Sequence, residues 1–491
     1  MKKILSLSAI LSSAIFLFIY FPHIILIILI TNLTISIIKG LLQVYFSSLK
    51  VSPLTYHYPD TEPFISIHIA SHNEPPNILI NTLKSISLLK YKNYEVIIAD
   101  NNTKEESVWK PVQEYCKKLG DKFRFYHIEN LTGFKAGALN FIKKETNPKA
   151  QYIAIIDADY EVDLDFMKEA SKYFTNNDIA FVQFPQAYMN IDKVNIGLEL
   201  EYQHFFQTYM NMANHFDCVM LTGTLSIFRV DILKKVDFFK NYITEDAEIG
   251  LRLNQTGYRG LYVPKVIGRG LIPYDISSYK KQKSRWALGN VQILRDSVMH
   301  VLTDKNLKIQ QKIGLISQLS AWINFTILPI FTILLVAILR LVPDSEYVLM
   351  HKIVFISGFT IFLFLFLKAI SFYFLYRNKY SLIKIFKAYL VHIAMGSVYS
   401  LAAIKIYFMK NFIFERTNKF INAEITINSM RDVMFEILIG FGSLILCIYH
   451  FVMGNYKISS ILFVISLMYL FIFYVLKELS HTKKLSLKLF E

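Results

Sequence analysis

An α/β domain on a mostly parallel sheet, inserted in an α-helical transmembrane bundle, is the fold this sequence predicts. Three observations carry that expectation. Apolar residues make up 53% of the 491-residue chain and the mean hydropathy is +0.35, above soluble norms. The excess is concentrated before residue 47 and after residue 320. Between them lies a polar stretch of roughly 270 residues, in which short apolar strands alternate with helical patterns. A chain of this length suggests two or three units.

The segment 1–50 is expected to hold two transmembrane helices. Its apolar stretch, 4–46, is about twice the ~20 residues of one span, and Pro22-His23 interrupts it near the middle. Lys2 and Lys3 before an apolar run resemble a signal peptide, but the length favours retained helices joined by an outside turn. Further spans are expected in the transmembrane region 320–491, at 320–342, 352–376, 432–453 and 458–477. The stretch 382–409 differs. Lys384 and Lys387 stand at its start, and Lys405, Lys410, Arg416 and Lys419 crowd its end. Basic clusters on both sides favour an interfacial or re-entrant helix. Six spans with both termini inside is therefore the expected topology, and seven with the C-terminus outside is the alternative. The formal charge of +15 fits basic loops on the inner side, and no nucleic-acid-binding motif accompanies it. Cys116, Cys218 and Cys447 show no zinc or disulfide spacing.

In the central region, 60–275, candidate strands are 64–70, 94–99, 123–128, 152–156 and 179–184. Helical patterns fill 77–90, 105–119 and 135–145. Such alternation argues a sheet covered on both faces, with ligands beyond the carboxyl ends of the strands. Asp100 follows the second strand and Asp157 the fourth. There is no Walker A motif and no GxGxxG after a strand.

Three constellations follow in order. Asp157-Ala158-Asp159 offers two carboxylates at a strand end for Mg²⁺ or Mn²⁺. Alone, such a triplet is more often a turn or helix cap. An EF-hand reading fails because Val162 stands where the loop needs glycine. Thr244-Glu245-Asp246 precedes a helical pattern and could be ordinary capping or could supply Asp246 as a general base. Gln282, Arg285 and Trp286 fall on one helical face. Arg285 suits diphosphate oxygens and Trp286 a sugar face; the plain alternative is an amphipathic interface helix within 276–319. Two weaker features support them. The small-residue turn 133–140 enters a helix where a backbone can approach a phosphate, and His72-Asn73-Glu74-Pro75 follows the first strand.

In this order the motifs resemble those of the processive family-2 glycosyltransferases, namely cellulose, hyaluronan, chitin and bacterial β-glucan synthases. The match covers roughly 64–300, and the form around 281–294 is most similar to bacterial cellulose synthase. A further echo, Phe414-Glu415-Arg416-Thr417-Asn418-Lys419, resembles a gating loop at 412–420. The resemblance implies a GT-A-like (Rossmann-like) cytosolic domain below a membrane channel, with inverting chemistry. It implies a UDP-sugar donor and a growing polysaccharide as substrates, and an inner- or plasma-membrane location. It implies that Glu74 and Asp100 contact the nucleoside and that Lys135 lies near the donor. Asp157 and Asp159 would hold the metal, Arg285 the diphosphate, and Trp286 the acceptor. Glu245 and Asp246 would serve catalysis, while Gln282, Thr417 and Lys419 would help hold the donor. Gly223-Thr224 is similar to the family's acceptor-side turn. The sequence departs at Asn101-Asn102, where a second acid is usual, and at Asn418, where proline is common. No room remains after Glu491 for a cyclic-di-GMP-binding domain, so regulation by that route is not expected.

UDP-glucose and a β-glucan are the first expectation for substrate and product. An N-acetylhexosamine polymer is the alternative within the family. A non-processive transferase to lipid, or a transporter or scaffold with a dead transferase domain, lies outside it. Accessory export subunits are compatible with either polymer.

Overall fold

The computed structural model describes residues 21–49, 54–191, 195–238, 242–273, 276–323, 327–339, 344–406 and 433–480. The chain divides into two compact units. One comprises 1–48, 324–400 and 426–482; the other comprises 49–323, 401–425 and 483–491.

The second unit carries a seven-stranded sheet in the order β3-β2-β1-β4-β7-β6-β8. Its strands are β1 (Ile65–Ser71), β2 (Tyr94–Asn101), β3 (Phe123–Ile128), β4 (Tyr152–Ile155), β6 (Ile179–Gln183), β7 (Ser226–Arg229) and β8 (Arg259–Tyr262). A two-stranded ribbon pairs β5 (Glu161–Val162) with β9 (Gly268–Arg269). β1 to β4 are mutually parallel where paired, and β8 is parallel to β6. β7 runs antiparallel to both β4 and β6. The five strands expected from the sequence are present, and β7 is the reversed element that the alternation did not announce.

The strands are continuous apolar runs because both faces are covered. On one face Ile65, Ile67, Ile69, Val96 and Ile98 pack with Leu79, Leu83 and Val112. Another cluster joins Ile153, Ile155, Phe181 and Phe228 to Leu139, Leu251 and Ile293. The helix Pro76–Ser87 opens with proline in its first turn, where the missing N–H costs nothing. Helices Glu106–Leu119 and Phe134–Glu145 complete the layers near β2 and β3.

In the first unit, Gly40 of the helix Pro22–Ser48 lies so near the helix Asp344–Tyr376 that a Cβ would stand 2.5 Å from Leu367 Cδ1. Ser47 Oγ and Ser371 Oγ are 2.7 Å apart. Helices Met434–Val452 and Tyr456–Ser480 meet similarly, with Ser466 Oγ donating to the Gly440 carbonyl at 2.9 Å. Small residues and hydroxyls at helix contacts are the packing that apolar surroundings favour.

Five described helices are long and apolar enough to cross a membrane: Pro22–Ser48, Tyr347–Tyr376, Leu382–Lys405, Met434–Val452 and Tyr456–Leu476. Leu382–Lys405, expected as interfacial, qualifies by length and composition. The span expected at 320–342 differs. Its described apolar helix is Ile327–Ile338, of 12 residues, which rises only ~18 Å against a ~30 Å hydrocarbon core. Ser320–Trp322 form a 3₁₀ turn that belongs to the other unit, because Trp322 packs there on Phe205 and Trp286. The first of the two helices expected in 1–50 lies outside the described residues.

Candidate active site

Asp157 follows β4 at the carboxyl edge of the sheet. Its N–H donates to Thr224 Oγ1 at 2.9 Å, and its Oδ1 accepts from Lys135 Nζ at 2.5 Å. The same ammonium donates to the Gly223 carbonyl at 2.7 Å. Burial opposes the Lys135 charge, but Asp157, Glu245 and Asp246 outweigh burial and hold its pKa above the ordinary lysine range. Gly223 has φ +89°, and a Cβ there would stand 3.2 Å from Asp246 Oδ2 and 3.7 Å from Lys135 Nζ. Lys135, Asp157, Gly223 and Asp246 therefore form one cluster, although they span 112 positions (246 − 135 + 1).

Glu245 and Asp246 open the helix Glu245–Gln255, a place that favours carboxylates through the helix dipole. Burial nevertheless raises both. Glu245 is pushed up to about 7 by burial and by the charge of Asp246, with Lys135 pulling back. Asp246 is raised by burial, again against Lys135. The buried Thr244 hydroxyl before them has no hydrogen-bond partner among the described residues, and the segment rests against Gly289 of the helix Ile276–Thr303. A Cβ on Gly289 would meet Thr244 Oγ1 at 2.5 Å.

That long helix also carries Gln282, Arg285 and Trp286. Burial lowers the Arg285 guanidinium, with Glu245, Asp157 and Asp246 opposing, so arginine joins the same charged group. Gln282 Oε1 accepts from the Tyr202 hydroxyl. Trp286 meets Tyr202 and Trp322 edge-on, each with ring centroids 5.6 Å apart. Tyr202, Phe205, Asp246, Lys283, Trp286 and Trp322 line a cleft. Aromatic rings thus share the lining of the cleft with the Asp246 carboxylate.

Asp159 is buried, and its Oδ2 accepts the Leu271 N–H at 3.4 Å. No group of three or more His, Cys, Asp or Glu side chains suited to a metal occurs among the described residues. Two carboxylates, Asp157 and Asp159, nevertheless fit Mg²⁺ or Mn²⁺, which bind through one or two carboxylates plus substrate phosphates and water.

Asp100 is buried at the end of β2 and holds three partners: Ser71 Oγ at 3.2 Å, Thr103 Oγ1 at 2.7 Å and His127 Nδ1 at 2.8 Å. Trp109 stacks on His127 at 4.3 Å. Glu74 is half-buried on the loop after β1, where the Asn73 N–H donates to Thr103 Oγ1. The two asparagines after Asp100 act on the backbone instead. Asn101 Nδ2 donates to the Phe134 carbonyl, one residue before Lys135. Asn102 both donates to the Leu131 carbonyl and accepts from its N–H. Gly137 in the small-residue turn has a local reason as well, since a Cβ would strike the Thr132 carbonyl at 2.1 Å. Thr417, Lys419 and the loop 412–420 lie outside the described residues.

Glu201, Tyr202, Lys283 and Trp322 join this site without having been expected there from the sequence. Lys283 sat inside the spaced motif as an unread position. Trp322 was absorbed into an apolar run, although Ser317, Gln318 and Ser320 just before it are poor membrane residues and signalled a soluble boundary.

A family model described as glycosyl transferase family group 2 matches residues 152–409, more than half the chain. The chain belongs to this family. A second model, glycosyl transferase family 2, matches 66–237. The family is that of glycosyltransferase enzymes, as the motif resemblance implied. Among known relatives, glucomannan 4-beta-mannosyltransferase 9 of Arabidopsis thaliana is 24% identical over 264 residues, covering 52% of this chain and 49% of that protein. A UDP-forming cellulose synthase of Dictyostelium discoideum is 32% identical over 165 residues, covering 32% of this chain and 16% of that one. The chain spans about half the length of the first of these. A mannosyltransferase of Pyrobaculum calidifontis, solved with GDP-Man and Mn²⁺, superposes with TM-score 0.54 at 16% identity. It covers 79% of this chain and 100% of that one. The family-2 transferase thus has a GT-A fold, with apolar helices of membrane-crossing length.

Proposed function

We propose that this family-2 transferase is a membrane-embedded, inverting, processive hexosyltransferase. It moves a hexose from a UDP-sugar, UDP-glucose first, to a growing β-glycan and exports the product. The observation that supports this most is the position of Asp246: it borders an aromatic cleft on one side and the Lys135–Asp157 cluster on the other. A sugar ring stacked on Trp286 would present its terminal hydroxyl to Asp246. Asp246 takes that proton as general base. The freed oxygen bonds to the anomeric carbon as the carbon–diphosphate bond breaks, so the new linkage inverts an α-linked donor to β. The electron pair leaves with the nucleoside diphosphate, whose charge faces Lys135 and Arg285. A divalent ion held by Asp157 and Asp159 would neutralise the same diphosphate. Glu74, Asp100 and Gln282 are assigned to holding the donor and its pocket, with Thr417 and Lys419 as the closing loop.

We assign 60–275 to the cytosolic side, 276–323 to the membrane interface, and 1–50 with the region from 324 onward to the membrane, as the basic loops suggest. A second reading, mannosyl transfer, is favoured by the names of the first relatives, which are glucomannan mannosyltransferases. The test is turnover by the purified membrane protein given UDP-glucose, GDP-mannose or UDP-N-acetylglucosamine with Mg²⁺ or Mn²⁺. Long polymer from UDP-glucose alone supports the first reading. Polymer from GDP-mannose replaces it with the second, and a single-sugar product removes processivity.

A further inference from the structure

Lys283 and Glu201 form an ion pair at 2.6 Å whose side chains are 2% and 3% exposed. Glu201 Oε2 also accepts from the Tyr279 hydroxyl. Four aromatic rings surround the ammonium, with centroids at 3.8 Å (Tyr202), 5.2 Å (Trp286), 5.3 Å (Tyr279) and 5.5 Å (Trp322). A buried ion pair is a poor way to gain stability, because apolar residues of similar volume often pack there as well or better. Here such residues would have ample apolar company. The pair instead adjoins the cleft, since Lys283 lines it beside Trp286 and Asp246. An ammonium has three N–H donors, and Glu201 accepts one.

We propose that Lys283, charge-balanced by Glu201, is a specificity-determining residue that donates a hydrogen bond to a sugar oxygen of a neutral glycan stacked in the cleft. This rests on reading the cleft as the acceptor site. The aromatic faces supply stacking that tolerates many sugars, and the ammonium supplies the directional contact that selects one register of the ring. Because Glu201 cancels the lysine charge, the wall offers a strong donor without net attraction for anionic sugars. A neutral hexose polymer fits that chemistry, and a uronate-containing one does not.

The test uses the purified full-length chain at saturating donor, with β-1,4-linked gluco- and manno-oligosaccharides as acceptors. Lys283→Met paired with Glu201→Leu removes both charges together, so neither is left buried alone. The expected result is an acceptor KM raised 10- to 100-fold, with donor KM within twofold and an unchanged melting temperature. Lys283→Arg, which retains a donor, should lose less. An acceptor KM within twofold of the parent would overturn the proposal. So would parallel loss of acceptor KM, donor KM and melting temperature, which would make the pair a packing element. A parent enzyme whose rate does not depend on any oligosaccharide would remove the acceptor-site reading itself, and the proposal with it.

Discussion

Adding one methyl group at Gly289 should disable the base without touching it. An ideal Cβ on Gly289 stands 2.5 Å from Thr244 Oγ1, 2.6 Å from its Cγ2 and 2.9 Å from its Cβ. Ordinary carbon–carbon contact is about 3.5–4.0 Å, so relief requires roughly 1 Å of movement. Rotating Thr244 cannot provide it, since the Cβ contact is independent of rotamer. The stretch of chain bearing Glu245 and Asp246 must therefore move. Overpacking of this kind costs about 1–3 kcal/mol in stability, and a ~1 Å misplacement of a catalytic group costs on the order of 10²-fold in rate. Gly289→Ala is expected to lower kcat about 100-fold while donor Kd, measured by calorimetry, changes less than threefold. Adding Thr244→Ala removes two of the three clashing atoms and a hydroxyl that has no partner among the described residues, so the double variant should recover part of the rate. A Gly289→Ala enzyme with kcat within twofold of the parent would refute the reasoning.

Asp246→Asn should cut transfer by at least about 10³-fold, the upper range for loss of a general base, with donor binding retained by calorimetry. The pH profile should show an acid limb above the ordinary aspartate range. Burial raises the Asp246 carboxyl and pushes its neighbour Glu245 up to about 7, so the base is lost to protonation as pH falls through this raised range. Glu245→Gln removes the carboxyl pushed up to about 7, so the limb that remains, that of Asp246, should lie at lower pH; a limb left in place would mean that Glu245 does not contribute to it. Asn102→Asp keeps the acceptor for the Leu131 N–H but loses the donor to its carbonyl. It should cost about 1–3 kcal/mol in chemical denaturation, and no loss would mean that the clamp is not needed.

The sheet was legible where strands are long, buried and β-branched: β1 and β2 read directly from their apolar runs. β7 did not, because its four residues Ser226–Arg229 are too short to establish a period, and its direction is set by partners on both sides. The order of the acidic and aromatic motifs was legible, but their meeting depends on tertiary contacts. Nothing in the local sequence ties Lys135 to Gly223, which is 88 positions away. Lys283 was invisible because its partner, Glu201, lies on a different helix. Asn101 and Asn102 looked like departures from an acidic pattern, and their amide groups turn out to fasten neighbouring backbone.

The carbonyls and hydroxyls of 218–224 meet Lys135, Asp157, Gln318 and Asn254. In the same segment the Leu221 N–H lies 2.8 Å from where a Gly250 Cβ would be. On the proposed reading, these seven residues hold both the donor half and the acceptor half of the reaction centre. Evolution cannot retune the donor half and the acceptor half independently, and substitutions in one should show strong epistasis with those in the other. A chimaera that imports a donor pocket from a relative would need to carry this segment with it, or the transplanted pocket would meet a mismatched base.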